Sequence, residues 1–208
     1  MSCREDKARY LMTQSLLAAW QYNLSGGPQE EFLSVLRREK TEQTQAMKDG
    51  IEFERLVWEC ACGKEPEEKH KWAQGIREIA EIVRGGAYQV ALSDEAEIEG
   101  EEYLLYGIAD FVKQGVIFDV KFSKRYENRG NVNYYLTSPQ APMYLRLLPG
   151  AKQFVFLISD GAQVFREAYT QEEITPIEKT AAAFTKNLKQ RGLWDVYTAF
   201  WRSDKERR

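Results

Sequence analysis

The chain has 208 residues, 43% of them hydrophobic and 29% charged, with a formal net charge of −3 and three cysteines. These proportions are globular, and the length suits one domain over 1–208, two small ones being the alternative. No apolar run is long enough for a membrane-spanning helix, the first residues lack the apolar run of a signal peptide, the odd cysteine count fits a reducing cytoplasm, and the acidic balance leaves nucleic-acid binding to a local basic patch.

Taken in order, the apolar spacing predicts helices over residues 13–23, 28–40, 44–62 and 67–84. In the last of these Trp72, Ile76, Ile79 and Val83 make one stripe, and Gly85-Gly86 stops it. Strands follow at about 87–99, 102–112 and 116–122, joined by turns at Glu99-Gly100 and Lys113-Gln114-Gly115. Ser138-Pro139 then opens a helix that carries Gln140 and Tyr144. Residues 152–159 and 163–169 flank Asp160-Gly161, a hairpin signal. Thr170-x-x-Glu173 reads as a capping box opening a long helix striped by Ile174, Ile177, Ala181, Phe184 and Leu188. The aromatics of Trp194, Tyr197, Phe200 and Trp201 read as packing rather than as a base-stacking platform. The expected fold is a mixed α/β (α+β) domain with a helical part over about 1–85, a sheet core over about 87–170 and C-terminal helices over about 171–203.

The chemistry concentrates in Gly107-Ile-Ala-Asp110 and Asp119-Val120-Lys121. Residues i and i+2 of a strand share a face, so Asp119 and Lys121 lie side by side and the hairpin brings Asp110 beside them. Acid-x-Lys alone is unspecific: 32 acids and 14 lysines in 208 residues give about two chance matches, and three occur. Only the one at Asp119 sits in an apolar strand, Val116–Phe122. Two carboxylates and an ammonium there are costly to desolvate, and a divalent cation would offset that cost. The plainer alternative is a surface ion pair worth about 0–1 kcal/mol.

Three other segments bear on the choice. Glu54 stands beside the apolar face of Phe53, Leu56 and Val57, where it either points inward or pairs in solvent. Gln140 and Tyr144 are i and i+4 on one helix face, and both tips can bond phosphate or metal-bound water. Thr13 and Ser15 begin a helix with an aromatic face. Cys60-Ala-Cys62 with His70 lacks a fourth zinc ligand.

In this order the segments resemble the RecB-type branch of the PD-(D/E)XK nuclease superfamily, which includes the phage lambda-type exonucleases. That branch carries Gly-x-x-x-(His or Glu), Gly-x-x-Asp, Asp-x-Lys and Gln-x-x-x-Tyr, here Gly50 to Glu54, Gly107 to Asp110, Asp119 to Lys121 and Gln140 to Tyr144. Glutamate at position 54 follows the lambda-type pattern, and Ala109 replaces the proline of the superfamily's name. A Ser-x-Leu helix often precedes the motifs, loosely matched by Ser15-Leu16-Leu17.

The resemblance implies a restriction-endonuclease-like core with a central mixed β-sheet flanked by helices. It also implies a metal-dependent DNA nuclease, read as an exonuclease of recombination, repair or phage DNA processing. The alternatives are a structure-selective or nicking endonuclease, a catalytically silent DNA-binding module, or a partner-binding protein with an incidental charged face. Glu54, Asp110, Asp119 and the Val120 carbonyl would hold Mg²⁺ or Mn²⁺, since all-oxygen ligation suits these ions. Lys121 would orient or help deprotonate the attacking water, with Gln140 and Tyr144 positioning DNA or the metal shell. Ser15 joins the expected DNA contacts, as do Lys124, Arg125 and Arg129 of the basic, aromatic-interleaved stretch that follows the active strand. Some relatives hold an iron–sulfur cluster with four cysteines; three here leave no such cluster expected. The resemblance implies DNA as a partner, with a single-strand annealing protein or helicase and a homo-oligomer as further candidates, while the composition above leads to the expectation of a cytoplasmic protein away from membranes.

Overall fold

A computed structural model describes residues 9–126 and 134–203. Its sheet is organised by one long strand. The strands are β1 (Arg9–Thr13), β2 (Ala87–Ile98), β3 (Glu101–Lys113), β4 (Val116–Phe122), β5 (Gln153–Ser159) and β6 (Val164–Tyr169). Along one edge β3 pairs antiparallel with β2, from Ile98↔Glu101 to Ala87↔Val112. The other edge of β3 is divided. Its beginning takes β1 in parallel, Arg9↔Glu102 to Thr13↔Tyr106, and its end takes β4 antiparallel, Phe111↔Phe118 to Lys113↔Val116. Residues Gly107 to Asp110 lie between the two ladders. From β4 the sheet continues to β5 in parallel and β6 antiparallel.

The turns follow from backbone chemistry. Gln114 and Gly115 have φ of 52° and 78°, and Glu99 and Gly100 have 54° and 77°. Two successive left-handed residues make the tight turns whose twist matches antiparallel strands. Gly at the second position removes half the steric cost of that conformation.

The helices are α1 (Gln14–Leu24), α2 (Gln29–Leu36), α3 (Gln45–Ala61), α4 (Ala73–Val83), α5 (Gln140–Leu147), α6 (Ile177–Gln190) and α7 (Trp194–Phe200). Thr13 caps α1 by accepting from Leu16 N, and Thr44 caps α3 by accepting from Met47 N. Strand β5 is nearly all apolar because it is covered twice. Phe154, Phe156 and Ile158 join the core under α1, α2, α5, α6 and α7, while Val155 and Leu157 join the core under α3 and α4. None of the described helices is long and apolar enough to cross a membrane.

The expected mixed sheet flanked by helices is what the chain forms, with corrections at element ends. Strand β1 went unforeseen: Arg-Tyr-Leu-Met-Thr is too short to declare a period, and its partner lies about ninety residues away. Helix α2 stops at Leu36 rather than near residue 40, because Arg38 turns left-handed (φ 55°) and Glu39 N closes on Ser34 O. Helix α4 starts at Ala73, after turns over 67–72. The Thr170–Glu173 box does not open a helix. One bond of the box forms, from Thr170 N to Glu173 Oε2 at 2.8 Å, but Glu173 N bonds the Thr170 carbonyl at 3.2 Å while Thr170 Oγ1 donates to Glu173 Oε2 at 3.0 Å, and the chain turns. Thr175 precedes Pro176, which disfavours helical backbone at Thr175, so α6 begins at Ile177.

Candidate active site

The divided edge of β3 gathers the expected residues. Extending the β3–β4 register would set Asp110 opposite Asp119, but the ladder ends one pair short. Asp110 Oδ2 instead takes the Val120 N–H at 2.8 Å. Two residues earlier, the Ile108 carbonyl accepts Tyr144 Oη–H at 2.6 Å. Side chains thus satisfy backbone groups that the sheet leaves open. Gly107 is required by the same contact, since a Cβ there would lie 2.7 Å from the Tyr144 ring. Gly50, by contrast, has open space around it on α3.

Asp119 is buried, at 4% exposure. Lys121 Nζ lies 2.7 Å from its Oδ2, with a third of the lysine side chain still open to solvent. Gln140, the first residue of α5, donates its amide to Asp119 Oδ1. Ser138 Oγ receives Gln140 N, so serine does the capping one position earlier than a regular N-cap. Gln140 is therefore a buried partner of the acid rather than an exposed glutamine.

Glu54 arrives from the opposite helix layer. Helix α3 packs with α4 against the other face, through Phe53 and Val57. The Glu54 carboxylate accepts Tyr88 Oη–H at 3.2 Å and Gln89 Nε2–H at 2.6 Å, both on Oε1. Tyr88 is itself held by stacking on Trp58 at 5.0 Å.

The electrostatics tie the acids together. Burial pushes the Asp110 carboxyl well above the usual carboxylate range, and the charges of Asp119 and Glu54 push the same way. Burial also raises Asp119, against the pull of Lys121 and Gln140. Glu54 is raised by burial first, with Tyr88 and Gln89 opposing and Asp119 adding. For Lys121, burial works against the charge, yet Asp119 and Asp110 hold the ammonium above its ordinary value. Burial lifts the Tyr88 phenol to about 12, Glu54 adding to it.

Three carboxylates against one ammonium leave an excess of two negative charges, which a divalent cation would balance. Asp119 Oδ2 supports that fit, because it is buried and receives no well-directed hydrogen bond, only the ammonium beside it. Among the described residues no three acidic, cysteine or histidine side chains already close on one point as metal ligands. Each acid is held by neighbouring side chains, Glu54 by Tyr88 and Gln89 on Oε1, and Asp119 by Gln140 on Oδ1 with Lys121 beside Oδ2.

The expected DNA contacts are dispersed. Ser15 is exposed at the start of α1 and bonded to Thr13 Oγ1 at 3.0 Å. Lys124 pairs with buried Asp49 at 2.8 Å while keeping most of its side chain in solvent. Arg125 is exposed, and Arg129 lies outside the described residues. Cys60 is buried and Cys62 exposed, so the two thiols face different surroundings.

Sequence reasoning passed over Tyr88 and Gln89, and also Glu167 on β6. The buried Glu167 carboxylate accepts from Tyr134 N at 3.0 Å, Tyr135 N at 2.9 Å, Tyr169 Oη at 2.6 Å and Tyr126 Oη. It fastens the chain on both sides of residues 127–133 to the sheet beside the site. Acid two residues before a strand tyrosine was the only local signal.

Neither a family model nor a curated protein matches the chain. Its fold is similar to the crystal structure of SSO0001, with a TM-score of 0.55 at 12% identity, over 90% of this chain and 80% of that one. At that identity the likeness describes the architecture alone, a mixed six-stranded sheet between helix layers.

Proposed function

We propose that the chain is a metal-dependent deoxyribonuclease of the PD-(D/E)XK type, acting as an exonuclease on DNA in the cytoplasm. One observation carries the reading: Glu54, Asp110, Asp119 and Lys121 come from a helix and two strands to the one place where the β3–β4 ladder is open. Such a concentration of buried charge costs stability and has no use in a purely structural sheet. Its donor set is all oxygen, which suits Mg²⁺ or Mn²⁺, and Glu54, Asp110, Asp119 and the Val120 carbonyl would hold the ion. When bound, it would lower the pKa of a coordinated water and offset charge on the scissile phosphate.

The chain's own groups have separate tasks. Lys121 brings its charge to the pentacovalent phosphate. Gln140 fixes the rotamer of Asp119, and Tyr144 fixes the Ile108 carbonyl and with it the exit of β3 from the ladder. Lys124 and Arg125 stand just past the active strand, where phosphate contacts would steady the substrate.

The test is digestion of linear against covalently closed circular duplex DNA with Mg²⁺ or Mn²⁺, alongside EDTA and a Lys121→Ala control. Metal-dependent loss of the linear DNA alone, absent in the variant, is expected. Cutting of the circle would make the enzyme an endonuclease instead. If neither duplex nor single strands are cut, the nuclease reading fails.

A further inference from the structure

Gln89, the third residue of β2, is held in an unusual backbone conformation inside the strand. Its φ is 53°, in the left-handed region, which a long side chain such as glutamine occupies only at a cost. No turn is needed there. Strand β2 runs on from Ala87 to Ile98, and the β2–β3 register is the same on both sides, Tyr88↔Phe111 and Val90↔Ala109. Gln89 and Asp110 are the one pair missing between them.

The consequence is a change of face. Residues two apart on a strand normally point the same way. Here Val90 and Ala109 pack into the core under α1 and α5, whereas Tyr88 and Phe111 pack into the core under α3 and α4. Both strands switch sides at Gln89 and Asp110. Neighbours on a strand also normally point apart, yet Tyr88 and Gln89 both reach Glu54 Oε1. The left-handed residue makes that double contact available.

Strain of this kind persists where the surroundings over-determine it, and such places are concentrated at functional sites. Glycine would relieve it at once, and asparagine would lessen it. Neither could bond Glu54 as Gln89 does: glycine has no side-chain amide, and the asparagine side chain is one carbon shorter. We propose that Gln89 is a positioning residue for Glu54, holding that carboxylate toward Asp110 and Asp119 so that the three can share a divalent cation. This rests on the nuclease reading and adds a residue outside its four motifs. Gln89 acts through Glu54 and touches neither metal nor DNA.

The experiment is Mn²⁺ binding without DNA, by calorimetry or electron paramagnetic resonance, on wild type, Gln89→Gly, Gln89→Asn and Glu54→Gln. Melting temperatures are read on the same samples. Loss of an outer-shell partner of a metal ligand typically weakens binding about 10- to 100-fold. Gln89→Gly is expected to melt no lower than wild type and to bind Mn²⁺ weaker by that factor. Gln89→Asn is expected to fall between them. In cleavage, the Mn²⁺ concentration at half-maximal rate should rise by the same factor, with the saturated rate changed less. Equal Mn²⁺ affinity in wild type and Gln89→Gly would overturn the proposal and leave the nuclease reading standing. If the glycine variant unfolds, the asparagine variant decides by the same criterion. A wild type that binds no Mn²⁺ would remove the nuclease reading and this proposal together.

Discussion

Replacing Asp110 by asparagine should make the metal-free protein more stable while abolishing cleavage. The asparagine Oδ1 can still accept the Val120 N–H that Asp110 holds at 2.8 Å, so the change is mainly one of charge. Opposed strand residues have Cβ atoms about 5 Å apart, and two like charges at that distance repel by about 3 kcal/mol at an effective dielectric near 20. Lys121 also neighbours Asp110 and offsets roughly half of this, leaving about 1–2 kcal/mol. For a chain of this size that is a rise of about 2–8 °C in Tm. The sign with pH follows from the direction of the shift. The Asp110 carboxyl is raised in the folded state. Wild type is therefore favoured below the unfolded-state value and loses stability as pH rises toward the raised one. The variant's advantage should be present at pH 7.5 and absent near pH 4. Scanning calorimetry in EDTA at both pH values reads it directly. Mg²⁺ at one hundred times its Kd should then stabilise wild type by about 2.7 kcal/mol and reverse the order. A variant that melts below wild type at pH 7.5 in EDTA would refute the idea that the Asp110 charge, by its burial first and by repulsion from the other acids second, destabilises the metal-free fold.

Other expectations are simpler. Asp119→Ala should lower the cleavage rate by several orders of magnitude, each decade being about 1.4 kcal/mol of barrier; near-normal turnover of the purified variant would contradict its role. Gly107→Ala should cost about 1–3 kcal/mol in urea unfolding through overpacking against Tyr144, whereas Gly50→Ala should be stabilising by about 0.5–1 kcal/mol, since its Cβ meets nothing. Glu167→Ala should destabilise by at least about 2–5 kcal/mol, because several donors around it lose a buried acceptor at about 1–3 kcal/mol each; an unchanged Tm would show those donors satisfied by water.

The parts of the site that were legible in sequence are those whose geometry is local. Asp119 and Lys121 share a face by strand alternation, and Gln140 and Tyr144 are one helical turn apart. The tight turn at Gln114-Gly115 brings Asp110 to them over nine residues. Glu54 was legible only as a residue beside an apolar face, since its inward aim is decided by Tyr88 and Gln89, 34 and 35 residues later. Gln89 gave no sign, because glutamine does not advertise a left-handed backbone as glycine does. Lys124 reads as a free cation until buried Asp49 is placed beside it. At Thr170 a local signal misled: one bond of the capping box forms, Thr170 N to Glu173 Oε2, and a proline three residues after Glu173 postpones the helix.

The sharing of one edge of β3 between β1 and β4 also sets an order of assembly. The β3–β4 hairpin needs only a two-residue turn and can close in microseconds. Strand β1 must instead close a loop of about ninety residues, a slower and entropically dearer step. It is then held from its far side by residues 197–201, through Leu11 N to Trp201 O and Tyr197 Oη to Leu11 O. During synthesis the acids and Lys121 are therefore together early, on an unfinished sheet. Only after residue 201 has been made can its contacts hold β1 against the start of β3, so the edge that leads up to Gly107 is the last part of the sheet to be secured.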